Sequence, residues 1–399
     1  MLIASNKTTT VTDVALQFLL VFAMTLPMLI LYATSTLGLL LSSDLGFEAT
    51  SLGYLIMSSF GLAAVLSLYA GRTVDCYGSR QALLILFCAV AMAFSVIAVA
   101  VDFYSLLLAA AMCGIAQALS NPVTNSLIAQ QISPQKKAWV VGLKQSGVQL
   151  AALIAGLALP AIALQFGWRT AFAVIVPVAL LFLLVTVFMI PRQHVIANNS
   201  ESFTRPNALL GWLMAIQFCV AISLSAFVTF LPTFATQHGM ELLWADTLIA
   251  AFGVMGMLSR ILLTPIGAKL KDESLLLFAL IAVAACTMIL MQQTDSHSHW
   301  RLWIGAVGMG FTAVATNAIA MSMLIRDAGF GAVTTSSSYV SVAFFSGFAL
   351  GPPLYGMISN YFGNPRFGWG VMIGVLIIAC TMTLLLANAR RQKSRIVMR

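Results

Sequence analysis

Residues 81–100 read QALLILFCAVAMAFSVIAVA, twenty positions without a charge. A helix rises 1.5 Å per residue, so this run covers about 30 Å, the thickness of a bilayer's hydrocarbon core. Inside lipid the backbone must bond within its own segment, so the run reads as a transmembrane helix. Eleven further apolar stretches follow the same pattern, and the short loops between them hold nearly all the charge. The spans are placed at roughly 14–41, 51–71, 81–100, 105–131, 138–165, 170–190, 209–235, 245–266, 274–293, 301–325, 333–359 and 367–388, and are numbered 1 to 12 in that order. Only 8% of residues are charged, against about 25% in a soluble domain. The expected fold is all-α: a polytopic membrane protein with 12 transmembrane helices.

The loop charges sort by side. Lys7, Arg72, Arg80, Lys136, Lys137, Arg192, Arg205, Lys269, Lys271, Arg326 and the tail from Arg390 to Arg399 carry 15 of the 20 Lys and Arg on one side. Arg169, Arg301 and Arg366 are the 3 on the other. Excess Lys and Arg mark the cytoplasmic face, which puts both termini there. The net charge of +8 follows from this bias and calls for no nucleic-acid partner. The six cysteines are scattered, mostly within apolar stretches, and read as small hydrophobes. The polar first 13 residues, followed by an apolar run too long for a signal-peptide core, give no sign of a cleavable leader.

The polar segment from Pro191 to Asn207 divides the spans six and six. The expected organisation is a bundle over 1–190, a cytoplasmic linker over 191–208, and a second bundle over 209–399 with a basic tail. The halves resemble each other weakly. Gly114, Ser120 and Asn121 align with Gly310, Thr316 and Asn317 at an offset of 196. Gln17, Phe18 and Thr25 align with Gln217, Phe218 and Ser225 at an offset of 200. Gly156 to Pro160 followed by Phe166-Gly167-Trp168 parallels Gly347 to Pro352 followed by Phe362-Gly363. Three matches in one order point to a duplicated, pseudo-symmetric architecture, which places a binding site near the midplane where the halves meet.

The segment after span 2 reads Gly71-Arg72-Thr73-Val74-Asp75-Cys76-Tyr77-Gly78-Ser79-Arg80-Gln81. It resembles the signature between helices 2 and 3 of the major facilitator superfamily. Gly71 and Gly78 suit close approach and unusual backbone angles, and Asp75 suits the positive end of a helix. The resemblance implies a gating role for Gly71, Asp75, Gly78 and Arg80, with Asp75 latching the first half to the start of span 11 when the exterior is open. With the spans, the linker and the repeats, it extends over almost the whole chain. Departures exist. Gly267-Ala268-Lys269-Leu270-Lys271-Asp272 keeps the glycine and the charges without the spacing, Ala110 stands where the family often has Arg, and Gly156–Pro160 is only a fragment of the antiporter motif in span 5. These weigh against a drug/proton antiporter.

Ionisable residues within a span point to function. Lys144 lies in span 5 and Arg260 in span 8, each roughly 5–10 Å to the cytoplasmic side of the midplane by helical rise. The family resemblance has these spans meet across the interface, where two cations repel unless an anion lies between them. An Arg fork suits carboxylates and oxyanions. Two bland readings stand beside this: Lys144 snorkelling to headgroups, and Arg260 bracing the inner gate on helix carbonyls. Gln117, Ser120, Asn121 and Thr124 form an i, i+3, i+4, i+7 stripe on span 4. The expected substrate-binding set is Lys144, Gln145, Arg260, Asn121, Asn317, Gln17 and Gln217, with helix–helix glue the alternative for any one of them. Every Asp and Glu falls in a loop or at a helix end, as does every His, so no proton route through a membrane carboxylate is expected. The His297–His299 pair is a weak metal signal. No cofactor, metal or catalytic residue is expected.

These features suit a secondary active or facilitative transporter of a small anionic organic solute, working by alternating access and not as an enzyme. The alternative is an exporter of hydrophobic or cationic compounds, favoured by a Met-rich lining. A membrane receptor needs a large soluble loop, and the longest loop here is under 20 residues. The expected partners are a small-molecule substrate and the lipid bilayer, the expected state a monomer, and the expected location a cell membrane, the bacterial inner membrane. With the linker cytoplasmic, a cysteine placed at Asn199 in a cysteine-free background is expected to resist an impermeant thiol reagent in intact cells. Strong labelling there reverses the topology.

Overall fold

The computed structural model describes residues 2–191, 206–270, 272–296, 298–331 and 333–397, with side chains left undescribed at 2–13, 134, 135, 137, 138, 264, 265, 268, 269, 325, 328, 333–335 and 393–397. Most of the linker over 191–208 thus falls outside it. Among the described residues 11 helices are long and apolar enough to cross a membrane. One of them, Leu52–Ala98, has 47 residues, about 70 Å of helix, and so holds two crossings. Its backbone breaks at Gly78, at φ 82° and ψ 159°, a conformation that favours glycine. Twelve crossings result, in an all-α protein.

Three boundaries differ from expectation. Span 1 runs over Leu2–Thr36, and a second helix, Gly38–Leu45, follows a break at Leu37. Span 6 is divided into Trp168–Ala173 and Ile175–Met189. Pro177 explains the second break, because its ring excludes a regular turn onto the carbonyl four residues earlier. The stretch Gly71–Tyr77 is helix, not loop. A Cβ on Gly71 meets nothing within 4 Å, so Gly71 mediates no close approach. Of the signature's two glycines, only Gly78 is required by the backbone.

The duplication read from the glycines has a packing basis. A Cβ on Gly114 would strike Ser59 and Leu62 of span 2, and one on Gly310 would strike Phe252 and Met255 of span 8. Span 4 therefore crosses span 2 as span 10 crosses span 8. In the same way Gly147 sits on Val21 and Thr25 of span 1, and Gly351 on Ile222 and Ser225 of span 7. Of the third match only the exits hold: Gly167 and Gly363 both turn the chain at positive φ, 83° and 62°, whereas Gly156 packs on Ala250 of span 8 and Gly347 on Phe218 of span 7, so those two glycines are not equivalent.

Between the halves, contacts gather at the end that the charge bias assigns to the exterior. Asn360 donates to Glu48 Oε2 at 3.0 Å and to Thr50 Oγ1 at 2.9 Å. Ser35 donates to the carbonyl of Val228. A Cβ on Gly53 would lie 2.7 Å from the Pro352–Pro353 backbone. The first half is clamped at the same end, where Arg169 bonds Asp44 at 2.7 Å and the carbonyl of Ala100 at 3.2 Å. The Arg169 and Trp168 hydrogen bonds hold the exposed Asp44 carboxyl below the usual carboxylate range. At the opposite end of the second half, the buried Glu273 bonds Arg326 at 2.6 Å, and Arg390 reaches Asp272 and Asp327.

Overpacking a well-packed contact costs roughly 1–3 kcal/mol. Gly114→Ala and Gly310→Ala are each expected to lower unfolding stability in detergent by about that amount. Gly142→Ala, whose Cβ meets nothing within 4 Å, is expected to be neutral or slightly stabilising. Equal losses at all three positions contradict this account.

Candidate substrate and gating site

Two seams join the halves, and they differ in chemistry. Along spans 2 and 11 the seam is aromatic: Phe60 lies 5.9 Å from Phe345 and 5.0 Å from Phe348, between ring centroids. Along spans 5 and 8 it is polar and glycine-lined. A Cβ on Gly253 would lie 2.9 Å from Ala152, and one on Gly256 would lie 3.0 Å from the Gln149 side chain. Gly256 and Arg260 are four apart on the Leu242–Lys269 helix, so both face span 5. The glycine admits Gln149, and one turn later Arg260 reaches across to Gln145.

Arg260 Nη1 donates to the backbone carbonyl of Gln145 and lies 3.4 Å from its Oε1. The buried Nε of Arg260 has no partner among the described residues. Gln145 in turn donates to Asn121 Oδ1 at 3.2 Å. Lys144 Nζ donates to Asn121 Oδ1 at 3.4 Å, Thr124 Oγ1 at 2.8 Å and Asn125 Oδ1 at 2.6 Å. One polar chain therefore runs from span 8 through span 5 to span 4, and no carboxylate belongs to it.

The structure brings together four of the expected binding residues: Arg260, Gln145, Asn121 and Lys144. Lys144 is only 1% exposed and turns toward span 4, so it does not snorkel. Arg260 does hold a helix carbonyl, the bracing contact, yet that uses only part of its fork. The other three expected residues are not joined to this chain among the described residues. Gln217 donates to the carbonyl of Thr316 at 3.3 Å within its own half, and its buried Oε1 is unpaired. Asn317 and Gln17 are half-buried, and neither makes a side-chain hydrogen bond among the described residues. Packing Gly310 on Phe252 sets Asn317 two turns along its helix, near the level of Ser259 and Arg260. The stripe on span 4 faces protein throughout: Gln117 donates to the carbonyl of Pro27 at 3.0 Å, and Thr124 meets Lys144.

Three residues of the site escaped the sequence pattern. Asn125 lies one turn beyond Asn121, so the helical stripe could have included it. Tyr32, whose hydroxyl donates to Gln149 Oε1 at 3.0 Å, lies two turns beyond Thr25. Gln149 lies one turn beyond Gln145. In each case the i+4 or i+7 step was the available signal.

Of the gating residues, Arg80 Nη2 donates to the carbonyl of Val187 at 3.0 Å, tying span 3 to the end of span 6. Asp75 is exposed and accepts no hydrogen bond from a helix N-terminus among the described residues. The side chains at 333–335, where span 11 begins, lie outside the described residues, as does His297.

The family model described as Major Facilitator Superfamily matches residues 15–344. A hexuronate transporter of Bacillus subtilis (strain 168) is 28% identical over 143 residues, which is 36% of this chain and 34% of that protein. The match thus spans about a third of the relative's length. Among solved structures, a bacterial homologue of the human lysosomal transporter Spinster, in an inward-facing and occupied conformation, matches at a TM-score of 0.72 and 16% identity. That likeness covers 93% of this chain and 96% of the other, and shows the fold alone.

Because Lys144 meets only neutral oxygens, removing its charge strands no buried counter-charge. Replacing a buried charge by an apolar group of similar volume is often neutral or stabilising. Lys144→Met is therefore expected to keep or raise the melting temperature in detergent. A loss of several degrees makes its hydrogen bonds a requirement of folding.

Proposed function

Because the chain belongs to the major facilitator superfamily, we propose that it carries a small organic anion across a cell membrane by alternating access, as a secondary active or facilitative transporter. One observation carries this reading. Arg260 sits at the seam between the halves with a buried Nε left open and no acidic partner among the described residues. A lone cation deep in a span costs about 2.5–3.5 kcal/mol on insertion scales. A carboxylate bound there supplies the missing acceptors in the bidentate geometry that Arg favours. The similarity to a hexuronate transporter supports the same class, since a hexuronate is a sugar carboxylate.

In this reading Arg260 binds the anionic group and Gln145 orients Arg260. Asn121 holds Gln145 from behind, and Lys144 holds Asn121 and adds positive potential. Asn317, Gln17 and Gln217 complete the proposed binding set from the facing helices. Gly78 and Arg80 shape the cytoplasmic turn, and Asp75 acts there on the gate. The division at 191–208 and the cytoplasmic placement of both termini belong to this proposal as well.

The test is thermal stabilisation of the purified protein by glucuronate, glucose and tetraphenylphosphonium, since a ligand of the folded state raises stability by mass action. Glucuronate is expected to stabilise and glucose is not. Arg260→Lys keeps the charge and loses the fork, so it is expected to weaken glucuronate binding about tenfold or more, or about 1.4 kcal/mol. Lys144→Gln is expected to weaken it less. Unchanged affinity in both folded variants makes the two cations structural. Stabilisation by the lipophilic cation alone then favours the exporter.

A further inference from the structure

Asp246 departs from the expectation that acidic residues stand clear of the membrane interior. It is the fifth residue of the Leu242–Lys269 helix, and it is 1% exposed. Its helix is pressed there against span 5: a Cβ on Gly156 would lie 2.8 Å from the Asp246 carbonyl and 2.5 Å from the amide of Ala250. The carboxyl Oδ1 is buried without a hydrogen-bond partner. No ion pair among the described residues involves Asp246.

The groups that could serve it are engaged elsewhere or lie off the seam. Span 5 from Leu150 to Gln165 contains no titratable residue. Span 1 offers Tyr32, which donates to Gln149. Span 7 ends at His238, whose Nδ1 lies 2.8 Å from the carbonyl of Phe234. His299 Nε2 lies 3.0 Å from the carbonyl of His238. From spans 9 and 10, Arg301 and Asp295 pair with each other at 3.2 Å. Glu241, on the same helix, is exposed. Arg260 is 14 residues further along, about 21 Å by helical rise.

A carboxylate this buried, with Oδ1 unpartnered, is strongly disfavoured as an anion, whereas a neutral acid is tolerated. Asp246 sits where spans 5 and 8 close the exterior end, and parting those helices exposes it to exterior water. We propose that Asp246 is a proton-binding site of the exterior gate, occupied when the exterior ends of spans 5 and 8 are packed and released when they part. The ligand is a proton taken from the exterior solution. Its binding selects the closed gate, independently of the solute held at Arg260. The inference rests on the alternating-access part of the proposed function and not on the anion.

The sign follows from linkage. The packed state holds one proton more than the open state, so it is fully favoured at low pH and lost as pH rises, by up to about tenfold per pH unit. Spin labels on cysteines placed at the exposed Phe166 and Trp300, in a cysteine-free full-length chain in vesicles, report the separation of the exterior ends. Distances are recorded from about pH 5 to about pH 9, with and without glucuronate. In the otherwise unaltered chain the short-distance population is expected to fall with pH. In Asp246→Asn, and in the smaller Asp246→Ser, it is expected to stay high and flat. A flat profile in the chain that keeps Asp246 overturns the proposal, as does an identical slope in both variants. Ends that part with glucuronate and ignore pH sink the proton site alone. Ends that part under no condition sink alternating access with it.

Discussion

Helices in a bilayer gain little by hiding apolar surface from one another, because lipid is as apolar as they are. They associate where backbones come close and where polar groups find partners. In this chain close approach is supplied by glycine. Gly114 and Gly310 set spans 4 and 10 on spans 2 and 8, while Gly147 and Gly351 set spans 5 and 11 on spans 1 and 7. Gly156, Gly253 and Gly256 then let span 5 meet span 8 across the halves. The polar chain depends on that last crossing, because Arg260 reaches Gln145 only where no side chain stands between the helices.

The duplicated frame is used asymmetrically. The packing that pairs Gly147 with Gly351 pairs Lys144 with Phe348, so a cation in one half answers an aromatic in the other. The two seams follow suit. Phe60, Phe345 and Phe348 make the seam of spans 2 and 11 a stack of rings. Arg260 hydrogen-bonds Gln145 across the seam of spans 5 and 8, and Tyr32 of span 1 holds Gln149 beside it. Rings can slide past one another with little loss, since ring contacts tolerate a range of offset geometries. Hydrogen bonds switch between discrete partners. A pair of halves that rocks has use for both, one seam as a bearing and the other as a set of alternative contacts.

The charge pattern inside the membrane has the same logic. Lys144 and Arg260 lie near enough to share a network, yet each is met by neutral oxygens and not by a carboxylate. The seam's one buried acid among the described residues, Asp246, lies at the other end of the same helix. Separation of that kind leaves each group without an opposite charge among the described residues, which is what the two proposals build on. For the cations the proposed partner is the solute, and for the acid a proton.

Much of this was legible in the sequence. Run length and hydropathy determine the twelve crossings, because lipid leaves the backbone no alternative to helix. The glycines at 114 and 310, and the hairpins at Gly167 and Gly363, mark the repeat in the sequence, whereas the pairing of Gly147 with Gly351 comes only from the packing. The sequence also singles out Lys144 and Arg260, since charge deep in a span is costly. Tertiary structure alone decides the rest. Helical periodicity assigns a residue to a face and does not say which helix lies opposite. Hence it could not show that Lys144 turns to Asn125, that Gln217 spends its amide on Thr316, or that Gln17 stands apart. Nor does position along a helix reveal burial. Asp246 reads as a helix-end residue, and only the folded bundle, in which Gly156 packs on its backbone carbonyl, buries it.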